Sequence, residues 1–153
     1  MTPPLPSHRY LPGRTARHPE DAFDAIKARA LRPTATTTAA RNEAWRYGLR
    51  LFDARFWWEA HEVLEAVWLN ASPNSAERAQ VQAVIQLANA ALKAELGKPN
   101  AAARLLALAR DLLADAALGG RAVMGLKGKR LQEVAAAIET GAPKPTIAPG
   151  ADD

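Results

Sequence analysis

The chain contains no cysteine. Disulfides, thiolate zinc sites and cysteine nucleophiles are therefore excluded, and any metal has to be held by histidine, carboxylates or water. Long apolar runs are missing too. Nothing approaches the roughly 18 uncharged residues of a membrane span, and the proline-rich start lacks the apolar core of a signal peptide. A soluble, unprocessed, cytoplasmic protein without a membrane partner is expected. Aromatic residues make up only 6% of the chain, and the 48% hydrophobic content is dominated by Ala and Leu, with little Val or Ile. Ala and Leu lose least on entering a helix. No strand-like alternation persists and no internal repeat is visible. With 153 residues, enough for one buried core, the expectation is an all-α, single-domain helical bundle of about five to six helices.

The net charge of +4 is unevenly spread: residues 1–55 carry ten Lys or Arg against five acids, residues 56–96 two against five, and residues 97–153 eight against six. The basic flanks can pack against an acidic centre or present an anion-binding surface. The basic residues are dispersed and follow no nucleic-acid motif, so nucleic acid ranks last among the partners considered.

In chain order, residues 1–17 read as an extended proline-rich arm, because proline removes backbone donors and restricts the residue before it. His18-Pro19-Glu20-Asp21 looks like the start of a helix running to about Leu31. The Thr36-Thr37-Thr38 run offers a cap for a second helix ending near Asp53. Its Trp45, Gly48, Leu49 and Phe52 share a stripe, and Gly48 among large neighbours points to a close helix crossing. A third helix follows over 56–70, a fourth from Ser75 to Leu96, a fifth over 100–118 and a sixth over 128–140. The stretch 119–130, with four Gly and four basic residues, reads as a flexible connection. Residues 18–140 would form the bundle domain, and 141–153 a mobile or draped tail.

The third helix, FWWEAHEVLEAVWLN, holds three of the four Trp and the only constellation with site chemistry. His61, Glu62 and Glu65 form an H-E-x-x-E pattern that places His61 beside Glu65 at i, i+4. On a wheel, Phe56, Trp57, Ala60, Val63, Leu64, Val67 and Trp68 form one apolar arc, with His61 and Glu65 just beyond its Trp68 edge. Glu59 falls nearly opposite His61 and is set apart from the site. On the fourth helix, Gln82, Gln86, Asn89 and Lys93 share a narrow sector that is either solvent-facing or an inward polar lining.

Three readings of this constellation compete. His61 and Glu65 can be ligands of a hard or borderline divalent metal, with Glu62 as third ligand or general base. His61, Glu62 and Glu65 can be catalytic residues of metal-free acid-base chemistry, in a pocket lined by Trp57, Trp68, Gln82, Gln86 and Asn89. Or they can be a structural hydrogen-bond network that sets helix register.

LFDARFWWEAHEVLEAVW followed by QAVIQLANAALK resembles the small helical proteins catalogued as domain of unknown function three hundred and nine. That family's pattern is Leu-Phe, a short gap, E-A-H-E-x-x-E-x-x-W, and later an I-Q-L-A segment. Leu51, Phe52, Glu59 to Glu62, Glu65, Trp68 and Ile85 to Ala88 match it, and the resemblance spans roughly residues 42–115. HRYLPGRTARHPEDAFD is similar to an N-terminal extension in one branch of the family. Asp53 and Arg55 occupy a gap where Gly is frequent, a departure that touches only the turn. The resemblance implies an all-α bundle and assigns no particular activity, so whether the chain is an enzyme stays open. The leading expectation is thus a small polar ligand or metal pocket around His61, Glu62 and Glu65, facing Gln82, Gln86 and Asn89. The alternative is a non-enzymatic scaffold or interaction module that engages a partner or a second copy of the chain.

Overall fold

The computed structural model describes residues 3–116, 120–143 and 145–148. Its elements are all helical: α1 (Asp24–Lys27), a 3-10 helix (Thr36–Arg41), α2 (Glu43–Asp53), α3 (Trp57–Leu69), α4 (Ala76–Glu95), α5 (Pro99–Ala116) and α6 (Gly128–Thr140). Among the described residues the only β pairing is a single bridge between Val123 and Leu126. The all-α bundle expected from composition is what forms. α3 packs between α2 and α4, α4 packs most extensively on α5, and α6 closes the bundle against α5 and α4. No helix of the described residues is long and apolar enough to cross a membrane.

Two helix starts differ from expectation, each for a local reason. α1 is a single turn, because only Phe23 and Ile26 of this segment are buried, and packing of an apolar face holds a helix more than propensity does. α2 is capped by Asn42, whose side chain accepts from Trp45 N–H at 3.2 Å; such a cap is worth about 1 kcal/mol. The threonines do other work. Thr36 Oγ1 accepts from Met124 N–H, and the Thr36 N–H donates to Glu77. The tight link from α2 to α3 is closed by Arg55 N–H to Phe52 O and Phe56 N–H to Leu51 O, with Arg55 at φ 72°. That is the left-handed C-terminal position usually taken by Gly.

Gly48 lies where α2 meets α3. A Cβ there would stand 2.4 Å from Leu64 Cδ2, so the glycine sets how closely the two backbones approach. α4 begins at Ser75, whose hydroxyl accepts from Arg78 N–H. α3 ends against the segment after α1, where Asn70 donates to Ala30 and Leu31 carbonyls and Thr34 Oγ1 donates to Val67 O.

Residues 120–127 are not the exposed linker that their Gly and Lys content suggested. Val123, Met124 and Leu126 are buried, and Val123 and Leu126 exchange both backbone hydrogen bonds, at 2.9 and 3.0 Å. Gln80, buried on α4, donates to Val123 O and Leu126 O, and Trp45 Nε1 donates to Met124 O. The turn is a plug whose polar backbone is satisfied from two helices, which burial demands. Of the expected tail, Ile147 is buried, with its N–H and that of Ala148 donating to Asp53; residues 149–153 and the start of the 119–130 stretch at Gly119 lie outside the described residues.

Candidate functional site

α3 has three faces. Ala60, Val63, Leu64 and Val67 form the core stripe, all at 0% exposure. Successive residues step about 100° round a helix, so one border of the stripe carries Glu59 and the other carries His61 and Glu65, with Glu62 on the outer side between them.

At the outer border, His61 Nε2 is 3.6 Å from Glu65 Oε2 and His61 Nδ1 is 3.8 Å from Glu62 Oε1. The side chains of His61 and Glu65 are 27% and 51% exposed. One ligand atom from each of His61, Glu62 and Glu65 can be chosen so that all three lie within 4.8 Å of one another. His61 Nδ1 is nevertheless buried and without a hydrogen-bond partner. Glu62 is drawn partly away, towards α1, by Lys27 Nζ at 3.1 Å.

The rest of the sequence-derived site is arranged around this edge. Trp68 lies part-buried beneath the Arg78 guanidinium, 4.0 Å from the ring centroid, and its Nε1 is buried without a partner. Arg78 also donates to Ala71 O at 2.9 Å. Gln82 and Gln86 follow Arg78 at one-turn intervals on α4. They and Asn89 are part-buried. No hydrogen bond joins them to His61, Glu62 or Glu65 among the described residues. Trp57 turns the other way. It packs edge-on to Phe52 and donates from Nε1 to Glu95 Oε1 at 3.0 Å, and Glu95 also pairs with Arg9.

Trp57 and Arg55 line two adjoining clefts of about 440 and 200 Å³ at the α6 end of the bundle. Asp53 stands in the larger one, and burial raises its carboxyl above the ordinary aspartate value, opposed by the Ile147 and Ala148 N–H donors and by Arg130.

The border that sequence reasoning set aside holds the most buried ionisable group described. Glu59 has 0% exposure; its Oε2 accepts from Tyr10 N–H and lies 2.6 Å from His18 Nε2, while Oε1 has no partner. His18 is stacked on His8 with centroids 4.5 Å apart and lies near Trp58. Residues 3–11 run beside this cluster: Tyr47 donates its hydroxyl to Pro4 O and Arg50 donates to Pro3 O. Burial raises the Tyr47 phenol above its usual range, with Arg50 lowering it and Glu59 raising it further, which keeps it a donor. The available signal for Glu59 was its wheel position about 40° beyond Val63, contiguous with the core arc. Nothing local pointed to His18 as its partner.

Residues 45–105 match the family described as Domain of unknown function (DUF309), so the resemblance carried by the E-A-H-E-x-x-E-x-x-W motif and the I-Q-L-A segment holds. The match contains α3 and α4 entire and excludes His18 and the arm. No curated protein and no solved structure matches the chain.

Proposed function

We propose that His61, Glu65 and Glu62 bind a divalent cation at the outer edge of α3. The observation that carries this reading is His61 Nδ1, buried and unpartnered, on a ring flanked by Glu62 and Glu65, from which one ring nitrogen and one oxygen of each carboxylate lie within 4.8 Å of one another. A buried polar atom without a protein partner calls for water or an ion. A ligating histidine commonly donates its other ring N–H to a carboxylate, which fixes the ring. With carboxylates flanking both ring nitrogens, one can join the coordination while the other orients the imidazole.

The donor set of one imidazole and two carboxylates suits a borderline ion such as zinc or a harder one such as manganese. Glu65, half exposed, leaves the outward coordination positions to water or substrate, the requirement for metal-assisted acid-base chemistry. Arg78 on the Trp68 ring supports the placement of Gln82 and Gln86 beside this edge, since α3 and α4 run antiparallel through a short turn and one turn along each leads from that contact towards Glu65 and Gln82. Glu62 is the weakest of the three ligands because Lys27 already neutralises it.

Zinc or manganese titrated into the metal-free protein by calorimetry should bind at one ion per chain. His61→Ala and Glu65→Gln should each weaken that binding at least about tenfold, and Glu62→Gln should weaken it less. Absence of binding tighter than about 1 mM, roughly 4 kcal/mol, or binding indifferent to His61→Ala, rules the site out.

A second reading has its own support. Lys27 to Glu62 and Arg78 to Trp68 tie α3 to α1 and α4, as a scaffold would require. A loss of stability in His61→Ala with metal binding absent throughout would favour it.

A further inference from the structure

α5 carries an apolar stripe that its own bundle leaves partly open. Ala101, Leu105, Leu108 and Leu112 fall within about 60° of one another round the helix. Leu108 is 51% exposed, one of two large apolar side chains exposed among the described residues. Ala101, Leu105 and Leu112 are part-buried. We propose that a second copy of the chain docks on this stripe, α5 against α5, in an antiparallel contact about a two-fold axis. The contact does not rest on the cation reading.

The stripe is a face and not a stray leucine. Single apolar residues on a surface need no explanation, but Leu108 is continued one turn to either side by Leu105 and Leu112. Spacings of four, three and four residues keep the row straight over about three turns, the pattern of a helix–helix seam. The bundle supplies no helix for it. α5 packs on α4 and α6, through a core face that carries Leu106, Ala109 and Leu113. Arg110, about 170° round from the stripe, pairs with Glu139 of α6 at 2.8 Å. α6 therefore lies on the far border of α5.

The charges beside the stripe select the occupant. Arg104, Asp111 and Asp115 lie about 20–60° beyond its outer border. All three are exposed, and none has an ion pair among the described residues. The inner border is the helix's own core face, so only one flank is free. A parallel pairing would set that free flank against the covered flank of the other copy, whereas an antiparallel pairing sets free flank against free flank. With the axis between Leu105 and Leu108, Leu105 of each copy meets Leu108 of the other. Arg104 of each then comes beside Asp111 of the other, so the ion pair is made twice, as a self-complementary contact requires. Asp115 is brought towards the first turn of the other copy's α5, the positive end of its dipole. A partner of uniform charge would leave one sign of this flank opposed by its like.

A contact of this size belongs at the weak end of specific interfaces. The test is sedimentation equilibrium of the full chain from about 10 µM to 1 mM, at low salt, where exposed charges are screened least. Wild type should pass from monomer to dimer within that range. Leu108→Glu sets two carboxylates near the axis and should weaken the dimer at least about tenfold, with the circular dichroism unchanged. Arg104→Glu and Asp111→Arg should each associate more weakly than wild type, because each sets like charges opposite one another. A mixture of these two variants should recover the dimer, since every reversed charge then meets an opposite one. If Leu108→Glu fails to fold, the two charge variants and their mixture decide. The proposal is overturned by a wild type that stays monomeric to about 1 mM, by a dimer indifferent to a folded Leu108→Glu, or by a mixture that associates no better than its components.

Discussion

α3 enters two His–Glu pairs on opposite borders, one with His18 from before α1 and one within the helix, and the two are chemically alike but physically different. His18 and Glu59 meet at 2.6 Å with side chains 7% and 0% exposed; His61 and Glu65 face each other at 3.6 Å with side chains 27% and 51% exposed. The inner pair joins residues 41 apart in sequence, the outer pair residues one helical turn apart. Solvent screens the outer pair, so its mutual attraction is weak and its groups remain available to a third party. The inner pair has exchanged solvent for each other, and removing either member strands the other. On one helix, burial decides whether a His–Glu contact is closed on itself or left open to solvent.

Truncating the two histidines is the harshest test of that contrast. His18→Ala leaves the Glu59 carboxylate in the core without its hydrogen-bonding imidazole and should cost about 3–5 kcal/mol, read from urea denaturation midpoints. His61→Ala should cost about 0–1 kcal/mol while it weakens the proposed cation binding at least about tenfold. Joint replacement of His18 and Glu59 by Leu should recover much of the loss, because a buried ion pair can often be exchanged for apolar volume at little cost. Comparable costs for the two single variants would erase the distinction between the borders.

The third face of α3, the stripe against α2, supports both borders and should respond differently from either. Gly48→Ala places a Cβ 2.4 Å from Leu64 Cδ2. Overpacking of about 1–3 kcal/mol is then set against the roughly 1 kcal/mol that Ala gains over Gly in a helix. A net destabilisation of about 1–2 kcal/mol is expected, and the double variant with Leu64→Ala should be less destabilised than the sum of the two single changes. Because this change moves α3 as a body, it should weaken cation binding at the outer border and disturb the His18 ring resonances together. A response confined to one border would mean that each is held by its own contacts and not by the helix.

The outer border was legible from the sequence because helical spacing alone places His61 beside Glu65 and outside the arc of Ala60, Val63, Leu64 and Val67. The starts and stops of α4 and α6 were legible for the same reason: Ser75, Gly97 and Gly141 act within one turn of their own positions. The inner border was not, since His18 reaches Glu59 through the fold and no local pattern encodes a partner so distant. Gln80 shows the same limit. Gln82 and Gln86 stood out as polar residues on an apolar helix, yet it is Gln80 that is buried, because its partners Val123 and Leu126 arrive from a turn whose Gly and Lys content read as solvent-exposed. Thr36 was misplaced as a cap for a similar reason, being occupied by Met124 and Glu77.

Asp53 offers the finest test, because it lies between the two extremes: part-buried, and held by two backbone N–H groups without a bonded cation. Burial raises its carboxyl above the ordinary value of 3.8, outweighing the Ile147 and Ala148 hydrogen bonds and the attraction of Arg130. Between the ordinary and the raised value, the folded chain holds a proton that the unfolded chain has released. Stability contributed by Asp53 therefore falls as pH rises through that window and is level above it, the reverse of an ion-paired carboxylate. Asp53→Asn removes the titration and retains one acceptor. The stability of wild type minus that of Asp53→Asn, measured by urea denaturation at successive pH values, should accordingly decline from just below the ordinary aspartate value and then flatten. A difference that grows with pH over the same range would mean that two backbone N–H donors compensate burial as fully as a cation does. In that event a backbone donor such as Tyr10 N–H would suffice for Glu59 without His18, and the contrast between the borders of α3 would rest on exposure alone.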